Sequence, residues 1–257
     1  MMIKIQYASD PHLEFAENDK YIKHHPLDVV GDVLVLAGDM GYIGDEGYTH
    51  NAFWDWAADH FERTIVIPGN HEFYKWFDLG QLHNDWRLPI RSNVCCYYNS
   101  VIALAPGVDL IATTLWSHIE PGNAFFIERA VSDFRRIRFG KAPLTWERFN
   151  EEHRRCLAFL KESIERSVAG HFIVVSHHVP SFQLLSPEFE GSALNGAFTV
   201  ELGDYIAQSP IEYWIYGHSH RNIDVSIGQT RVVSNQLGYV FQHEHVSFDP
   251  AKHFILP

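Results

Sequence analysis

Five short apolar runs in this sequence each end at a polar side chain that can bind a metal ion. In chain order, these end residues are Asp10, Asp39, Asn70, His177 and His218. They offer carboxylate, amide and imidazole donors without sulfur, a set that suits Mn, Fe or Zn and is richer in imidazole than a Mg or Ca site. One ending of this kind carries little weight, but five indicate side chains that converge on one metal site.

Two of these residues have a second candidate ligand two positions further on. His12 follows Asp10, and His220 follows His218. Side chains at positions i and i+2 of an extended segment point the same way, so each pair can reach one ion. Pro11 favours an extended conformation for Asp10, which is compatible with a chain leaving a strand.

The runs that must position these residues have the β-branched and aromatic composition of buried strands. They cover residues 3–9, 32–38, 63–69, 171–176 and 212–217. Because every run ends at a candidate ligand, we expect the ends of the strands to meet along one rim of the fold.

Helical spacing of apolar residues predicts helices over 50–63 and 145–168. Thr145 is the expected N-cap of the second helix, and Gly170 is its expected end. Strands that alternate with helices indicate a layered α/β fold.

In the last third of the chain, the apolar residues recur at the shorter spacing that is typical of strands. Residues 222–236 have the pattern of a hairpin around Gly228, and residues 243–248 predict a further strand. The composition therefore allows either one mixed sheet or two sheets face to face with helices outside.

The composition indicates a folded chain with an acidic surface. Apolar residues make up 46% of the 257 residues, and we expect one domain over residues 1–257. The formal net charge is −12, which repels a nucleic-acid backbone but not a small phosphorylated ligand in a locally positive pocket. Long nucleic acid is therefore a disfavoured partner, and protein partners are unknown.

The cysteines and the N-terminal residues favour a cytoplasmic location. Cys95, Cys96 and Cys156 form no CxxC pair, which is typical of a reducing compartment. No apolar run reaches the ~18 residues of a membrane span, and the first residues do not have the composition of a signal peptide.

Taken in order, the motifs resemble those of the calcineurin-like metallophosphoesterase superfamily. They are Asp-x-His, Gly-Asp, Gly-Asn-His-Glu, His and Gly-His-x-His, and they lie between residues 9 and 220. The resemblance implies two mixed β-sheets packed face to face with flanking helices, in a four-layer sandwich.

The resemblance also implies a centre of two metal ions (Mn, Fe or Zn). The first ion would be held by Asp10, His12 and His220. The second would be held by Asn70, His177 and His218. Asp39 would bridge the ions, and His71 would face the leaving-group oxygen without binding metal. Glu72 would orient a nearby imidazole.

Several residues near these motifs have two interpretations. His178 is the alternative to His177, but His177 follows the strand directly and is favoured. Arg135, Arg136 and Arg138 form either a surface patch or a group from which one arginine reaches a substrate phosphate. The aromatic residues of 72–77 are mostly core candidates, and the alternative is that Tyr74 or Trp76 forms a wall of the pocket. His118 either lines the pocket or caps a strand. The remaining histidines are interpreted as solvated or helix-face residues: His24, His25, His50, His60, His83, His153, His243, His245 and His253.

The implied function is a metal-dependent phosphoesterase that hydrolyses phosphate mono- or diesters. The resemblance implies direct attack of a metal-bridging hydroxide, without a covalent intermediate, and a small phosphorylated metabolite or cyclic nucleotide as substrate. Two alternatives remain at this point. One is a catalytically silent metal-binding scaffold on the same fold, and the other is a nuclease.

Overall fold

The computed structural model describes residues 2–75 and 77–256. The strands are β1 Ile3–Ala8, β2 Val33–Leu36, β3 Arg63–Val66, β4 Trp86–Arg91, β5 Val94–Tyr98, β6 Ser100–Ala105, β7 Val108–Ala112, β8 Arg138–Phe139, β9 Ala142–Pro143, β10 His171–Val175, β11 Ile211–Ile215, β12 Asp224–Ile227, β13 Thr230–Val233 and β14 His253–Leu256. The α-helices are α1 Ala16–His24, α2 Ala52–His60, α3 Pro121–Ala130, α4 Asp133–Arg136, α5 Trp146–Arg166 and α6 Gly203–Gln208. Single 3₁₀ turns lie between several of these elements.

Twelve of the strands form two mixed sheets of six strands each. The first sheet has the order β14-β1-β2-β3-β5-β4, and the second has the order β12-β13-β11-β10-β7-β6. In each sheet four central strands are parallel, and the strand at either edge is antiparallel. The two-sheet architecture implied by the family resemblance is confirmed.

Buried side chains join the two sheets and their helices into four layers. Ile5 of the first sheet and Ile173 of the second belong to one core cluster, so the sheets pack face to face. On the outer face of the first sheet, Trp54 of α2 packs in a cluster with Leu34. On the outer face of the second sheet, Leu160 of α5 packs in another cluster. Helices therefore cover both outer faces.

Strand β2 shows why these runs form buried strands. Val33 and Val35 face the core between the sheets, whereas Leu34 and Leu36 face the outer helices. Successive side chains of a strand point to opposite faces, so a strand buried on both faces must be apolar throughout.

Most predicted elements are present, but the predicted end of α5 and the predicted strand over residues 243–248 were wrong. The five expected strands are β1, β2, β3, β10 and β11, and both expected helices form as α2 and α5. The Thr145 side chain accepts a hydrogen bond from the Arg148 amide, as expected for an N-cap. Gly170 does not end α5. The helix stops at Arg166 with Ser167 as its C-cap, and the Gly170 amide donates to the Gly107 carbonyl.

The expected hairpin is confirmed, but the strand expected after it is not. β12 and β13 pair antiparallel around Gly228, whose φ of +61° is the left-handed conformation that a tight turn requires. Residues 243–248 form a 3₁₀ turn, Glu244–Ser247, with Val246 exposed. The carboxylate of Glu244 accepts a bond from the Tyr239 amide, which folds this segment back as a loop. None of the helices among residues 2–75 and 77–256 is long and apolar enough to cross a membrane.

Candidate metal centre

The predicted ligands meet where the carboxyl ends of β1, β2, β3, β10 and β11 come together. Asp39, which follows β2, lies at the middle of the group. Its Oδ2 is 3.7 Å from His12 Nε2, and its Oδ1 is 3.4 Å from His177 Nε2. One carboxylate therefore turns an oxygen toward ring nitrogens on each side.

The donors on one side of Asp39 are Asp10, His12 and His220. One donor atom from each lies within 4.8 Å of the others. Asp10 Oδ1 is 3.5 Å from His220 Nε2, and the Nε2 atoms of His12 and His220 are 3.1 Å apart. These are the three residues that the family resemblance assigns to the first ion.

The donors on the other side are Asp39, His177 and His218, again within 4.8 Å of one another. Asn70 joins them, because its Oδ1 is 3.1 Å from His177 Nε2. His218 Nε2 is buried and has no hydrogen-bond partner among the described residues. All seven predicted ligands are thus brought together.

These donors fit metal ions. Two imidazole nitrogens that face each other, and a buried ring nitrogen without a partner, leave lone pairs unused in a closed space. A bound cation would satisfy both, and the oxygen and nitrogen donor set suits Mn, Fe or Zn.

The backbone at the centre adopts a conformation that the sequence did not predict. Five of the candidate ligands have positive φ: Asp10 (+55°), His12 (+46°), Asp39 (+55°), His218 (+74°) and His220 (+50°). The expectation that Pro11 holds Asp10 extended was therefore wrong. Non-glycine residues at positive φ cost energy and persist where the surroundings fix them, often at functional sites.

Hydrogen bonds between neighbouring strand ends hold this conformation. The Asp10 amide donates to the Gly38 carbonyl at 3.0 Å, and the His12 amide donates to the Asp39 carbonyl at 2.9 Å. The His218 amide donates to the Asp10 carboxylate at 3.1 Å. Each of these three candidate ligands is thereby tied to another strand end.

Two carboxylates orient the imidazole rings, and neither was identified from the sequence. Glu14 Oε1 lies 3.1 Å from His12 Nδ1 and 2.7 Å from His71 Nδ1, and Glu244 Oε2 lies 2.6 Å from His220 Nδ1. Bonds of this kind fix the ring tautomer and direct Nε2 toward a metal. Glu14 is two residues from His12, a spacing that could have indicated it, whereas no local signal marks Glu244.

Glu72 does not orient an imidazole, so that expectation was wrong. Its carboxylate accepts hydrogen bonds from the amides of Asp39, Met40 and Gly69, at 3.0, 2.7 and 2.8 Å. Burial, with the charge of Asp39, raises the pKa of Glu72. Glu72 therefore positions the two loops that carry Asp39 and Asn70.

Asp133 positions Asn70 and was also missed. Its Oδ1 accepts bonds from Asn70 Nδ2 at 2.9 Å and from the Tyr74 hydroxyl at 2.6 Å. With its amide nitrogen held by Asp133, Asn70 turns Oδ1 toward His177. Burial raises the pKa of Asp133, opposed by the hydrogen bonds from Tyr74 and Asn70. Asp133 lies 63 residues from Asn70 and outside every motif.

His71 lies beside the donor cluster. Its amide donates to Asp39 Oδ1 at 2.9 Å, and Glu14 holds its Nδ1. Burial lowers the pKa of His71, but the charges of Asp39 and Glu14 outweigh burial and raise it. A protonated imidazole beside a candidate metal centre can donate a proton to a departing oxygen.

Comparison with known proteins identifies the family. The calcineurin-like phosphoesterase model matches residues 3–222. The chain belongs to this family. It is a metal-dependent phosphoesterase, as the motifs predicted.

Proteins of similar length resemble this chain in sequence or in structure. The chain is 25% identical to the uncharacterized protein L509 of Acanthamoeba polyphaga mimivirus, over 96% of this chain and 94% of that protein. It superposes on the phosphopantetheinyl hydrolase PptH from Mycobacterium tuberculosis with a TM-score of 0.68 and 17% identity, covering 98% and 95% of the two chains. It superposes on TT1561 of Thermus thermophilus with a TM-score of 0.53 and 14% identity, covering 92% and 90%.

The adjacent histidines His177 and His178 have different surroundings. His177 contributes to the donor cluster, and its Nδ1 lies 2.8 Å from the Ala37 carbonyl. Both ring nitrogens of His178 are buried without a hydrogen-bond partner among the described residues. Its ring packs 5.1 Å from the Trp116 ring and 4.4 Å from the His218 ring, and burial lowers its pKa well below the usual value. Because His177, and not His178, lies in the donor group with Asp39 and His218, the geometry favours His177 as the ligand.

The other residues singled out from the sequence lie around the centre or away from it. The Tyr74 ring packs at a tilt against the His71 ring, with 4.5 Å between ring centroids, and Trp76 lies outside the described residues. His118 is exposed and lines a separate cavity of about 960 Å³. His153 lies on α5 as expected but is buried, and it donates to the Leu115 carbonyl. The following are exposed, as expected: His24, His25, His50, His60, His83, His243 and His253.

Arg135 and Arg136, two of the three clustered arginines, point in different directions. Arg135 donates to the carbonyl of Arg129 on the exposed side. The guanidinium of Arg136 lies 5.1 Å from the Tyr74 ring centroid, next to the candidate metal centre. Of these two, Arg136 is therefore the one near the site.

Proposed function

We propose that this phosphoesterase hydrolyses phosphate mono- or diesters at a centre of two metal ions. The observation that carries the proposal is the position of Asp39, whose two oxygens face ring nitrogens in two separate groups of donors. A carboxylate between two such groups suits a bridging ligand.

The ligand sets proposed are those inferred from the sequence. Asp10, His12 and His220 would hold the first ion. Asn70, His177 and His218 would hold the second, and Asp39 would be shared. Metal ions held there would supply charge stabilisation for the attacking and leaving oxygens and would lower the pKa of a water molecule.

The chain's own residues supply positioning and the proton. His71 is proposed to donate a proton to the leaving-group oxygen, which in other enzymes contributes about 10²–10⁴-fold to the rate. Glu14 keeps the His71 ring oriented through Nδ1, and its carboxylate favours the protonated ring that this step requires. Glu72 and Asp133 keep Asp39 and Asn70 in place.

A small phosphorylated metabolite or a cyclic nucleotide is the proposed substrate class. The net charge of −12 opposes a long nucleic acid, whereas bound cations attract a single phosphate group locally. We also propose a cytoplasmic setting, which the three free thiols of Cys95, Cys96 and Cys156 support.

The test is a metal-dependent screen with p-nitrophenyl phosphate and bis-(p-nitrophenyl) phosphate, with Mn added and metal content measured on the same sample. We expect release of p-nitrophenol that stops on chelation and returns with Mn. Absence of turnover with both ions bound would contradict hydrolysis and favour a silent scaffold.

A further inference from the structure

A second cavity, of about 410 Å³, opens beside the candidate metal centre. The cations that line it are Lys75, Arg135, Arg136, Arg138 and Lys141. They are five of the chain's 20 lysines and arginines, in a protein of net charge −12. We call this space the basic cavity. Because the whole molecule is acidic, the cavity is a local concentration of positive charge.

The basic cavity and the metal centre share a wall. Tyr42 and Tyr74 line the cavity, and the His71 ring lies 4.5 Å from the Tyr74 ring and 6.1 Å from the Tyr42 ring. Arg136 lies 5.1 Å from that same Tyr74 ring. One aromatic ring thus connects the proposed proton donor to the nearest arginine of the cavity.

One short helix supports both sites. Asp133, in the first turn of α4, is buried against Asn70 and Tyr74, whereas Arg136, at the end of α4, is exposed at the cavity. The chain continues into β8 and β9, whose hairpin carries Arg138 and Lys141. The cavity is therefore built on elements that are themselves tied to a candidate ligand.

None of the described residues that line the basic cavity is acidic. Asp45, outside this lining, pairs with Lys75 at 2.5 Å, and both side chains are about half exposed. Arg135 donates to a backbone carbonyl, which carries no net charge. An anion in the cavity would therefore meet cationic side chains and no lining carboxylate.

We propose that the basic cavity binds a second phosphate, carried by the alcohol that leaves when the scissile phosphate is hydrolysed. This inference rests on the proposed function, because the cavity lies on the His71 side, from which the leaving oxygen departs. Arginine forks match phosphate geometry, and concave walls suit a small group rather than a flat macromolecular surface. The substrate class is thus a small bisphosphate.

The test compares adenosine 3′,5′-bisphosphate with adenosine 5′-monophosphate, which lacks the second phosphate. We expect the wild-type protein to have a kcat/KM at least about tenfold higher for the bisphosphate, the size of one charge-assisted hydrogen bond. In Arg136→Gln/Lys141→Gln this ratio should fall toward one. Arg166→Gln, an exposed arginine of α5 outside the cavity, is the matched control and should keep the wild-type ratio.

Calorimetric titration with the bisphosphate separates this inference from the proposed function. If the wild-type protein turns over neither nucleotide, the proposal that it hydrolyses these substrates is refuted. Binding of the bisphosphate is then the test of the basic cavity. Tighter binding to the wild-type protein than to the folded double variant would support the basic cavity. Equal binding by both proteins, or an unchanged selectivity ratio in the double variant, would overturn it.

Discussion

Asp39 and His71 have different proposed roles, although a hydrogen bond joins them. Asp39 Oδ1 accepts the amide of His71, so a change at either residue affects the position of the other. Asp39 is the proposed shared ligand, whereas the His71 ring lies beside the donors and is held by Glu14. Loss of metal and loss of turnover should therefore separate between these two positions.

His71→Ala should lower kcat by about 10²–10⁴-fold while both metal ions stay bound, because it removes the proposed proton donor and no ligand. Turnover of p-nitrophenyl phosphate and metal content by mass spectrometry check this. His60→Ala, on the exposed face of α2, is the control. Normal turnover, or loss of the metals, would refute the assigned role.

Asp133→Asn should lower the affinity for the second metal ion by about 10–100-fold, the usual effect of removing a group that orients a ligand. An amide at position 133 can donate as well as accept, so Asn70 is no longer forced to turn Oδ1 toward His177. Calorimetric Mn titration checks this. Two unchanged binding steps in a folded variant would show that Asp133 does not position Asn70.

At the scale of elements, the strand ends explain why much of the candidate site was predictable. Parallel strands place their carboxyl ends at one edge, so a candidate ligand directly after a strand can be located from the sequence. Asp39 after β2 and His177 after β10 are examples. The conformation at those ends was not predictable, because the positive φ of Asp10 is imposed by bonds to another strand end.

The orienting residues were missed for a related reason. Asp133 and Glu244 lie far along the chain from the ligands they hold, and only tertiary packing brings them together. Residues 243–248 alternate like a strand, but Glu244 is used by His220 and by the Tyr239 amide, which requires a turn. Contacts made by a side chain can thus override a local pattern.

Helix α5 supplies a pH-dependent element of stability. Burial lowers the pKa of His153 below its usual 6.5, so below that pH the unfolded chain binds more protons and stability falls as the pH drops. Between pH 7.5 and 5.5, the unfolding free energy of His153→Gln should therefore fall by less than that of the wild type. Urea unfolding at both pH values checks this.

His60→Gln, on the exposed face of α2, is the control for this comparison and should follow the wild type. An equal loss in His153→Gln and the wild type would show that His153 does not titrate on unfolding.

At the scale of the whole molecule, the candidate metal centre lies between the two sheets. Its candidate donors follow strands of both sheets, so ions bound there would add contacts between the two layers. A ligand that binds only the folded chain stabilises it by about 2.7 kcal/mol at a concentration 100 times its dissociation constant.

Chelation should therefore lower the melting temperature by roughly 5–10 °C for a chain of this size. Scanning calorimetry with and without EDTA checks this, with re-addition of Mn as the control. A melting temperature unaffected by chelation of a fully loaded protein would contradict a centre that joins the sheets.

The most direct test of the central claim is an anomalous diffraction map from crystals grown with Mn. We predict two peaks about 3.5–4 Å apart on either side of the Asp39 carboxylate, and none at this position in Asp39→Ala. A single peak, or two peaks that do not share Asp39, would contradict the proposed two-metal centre.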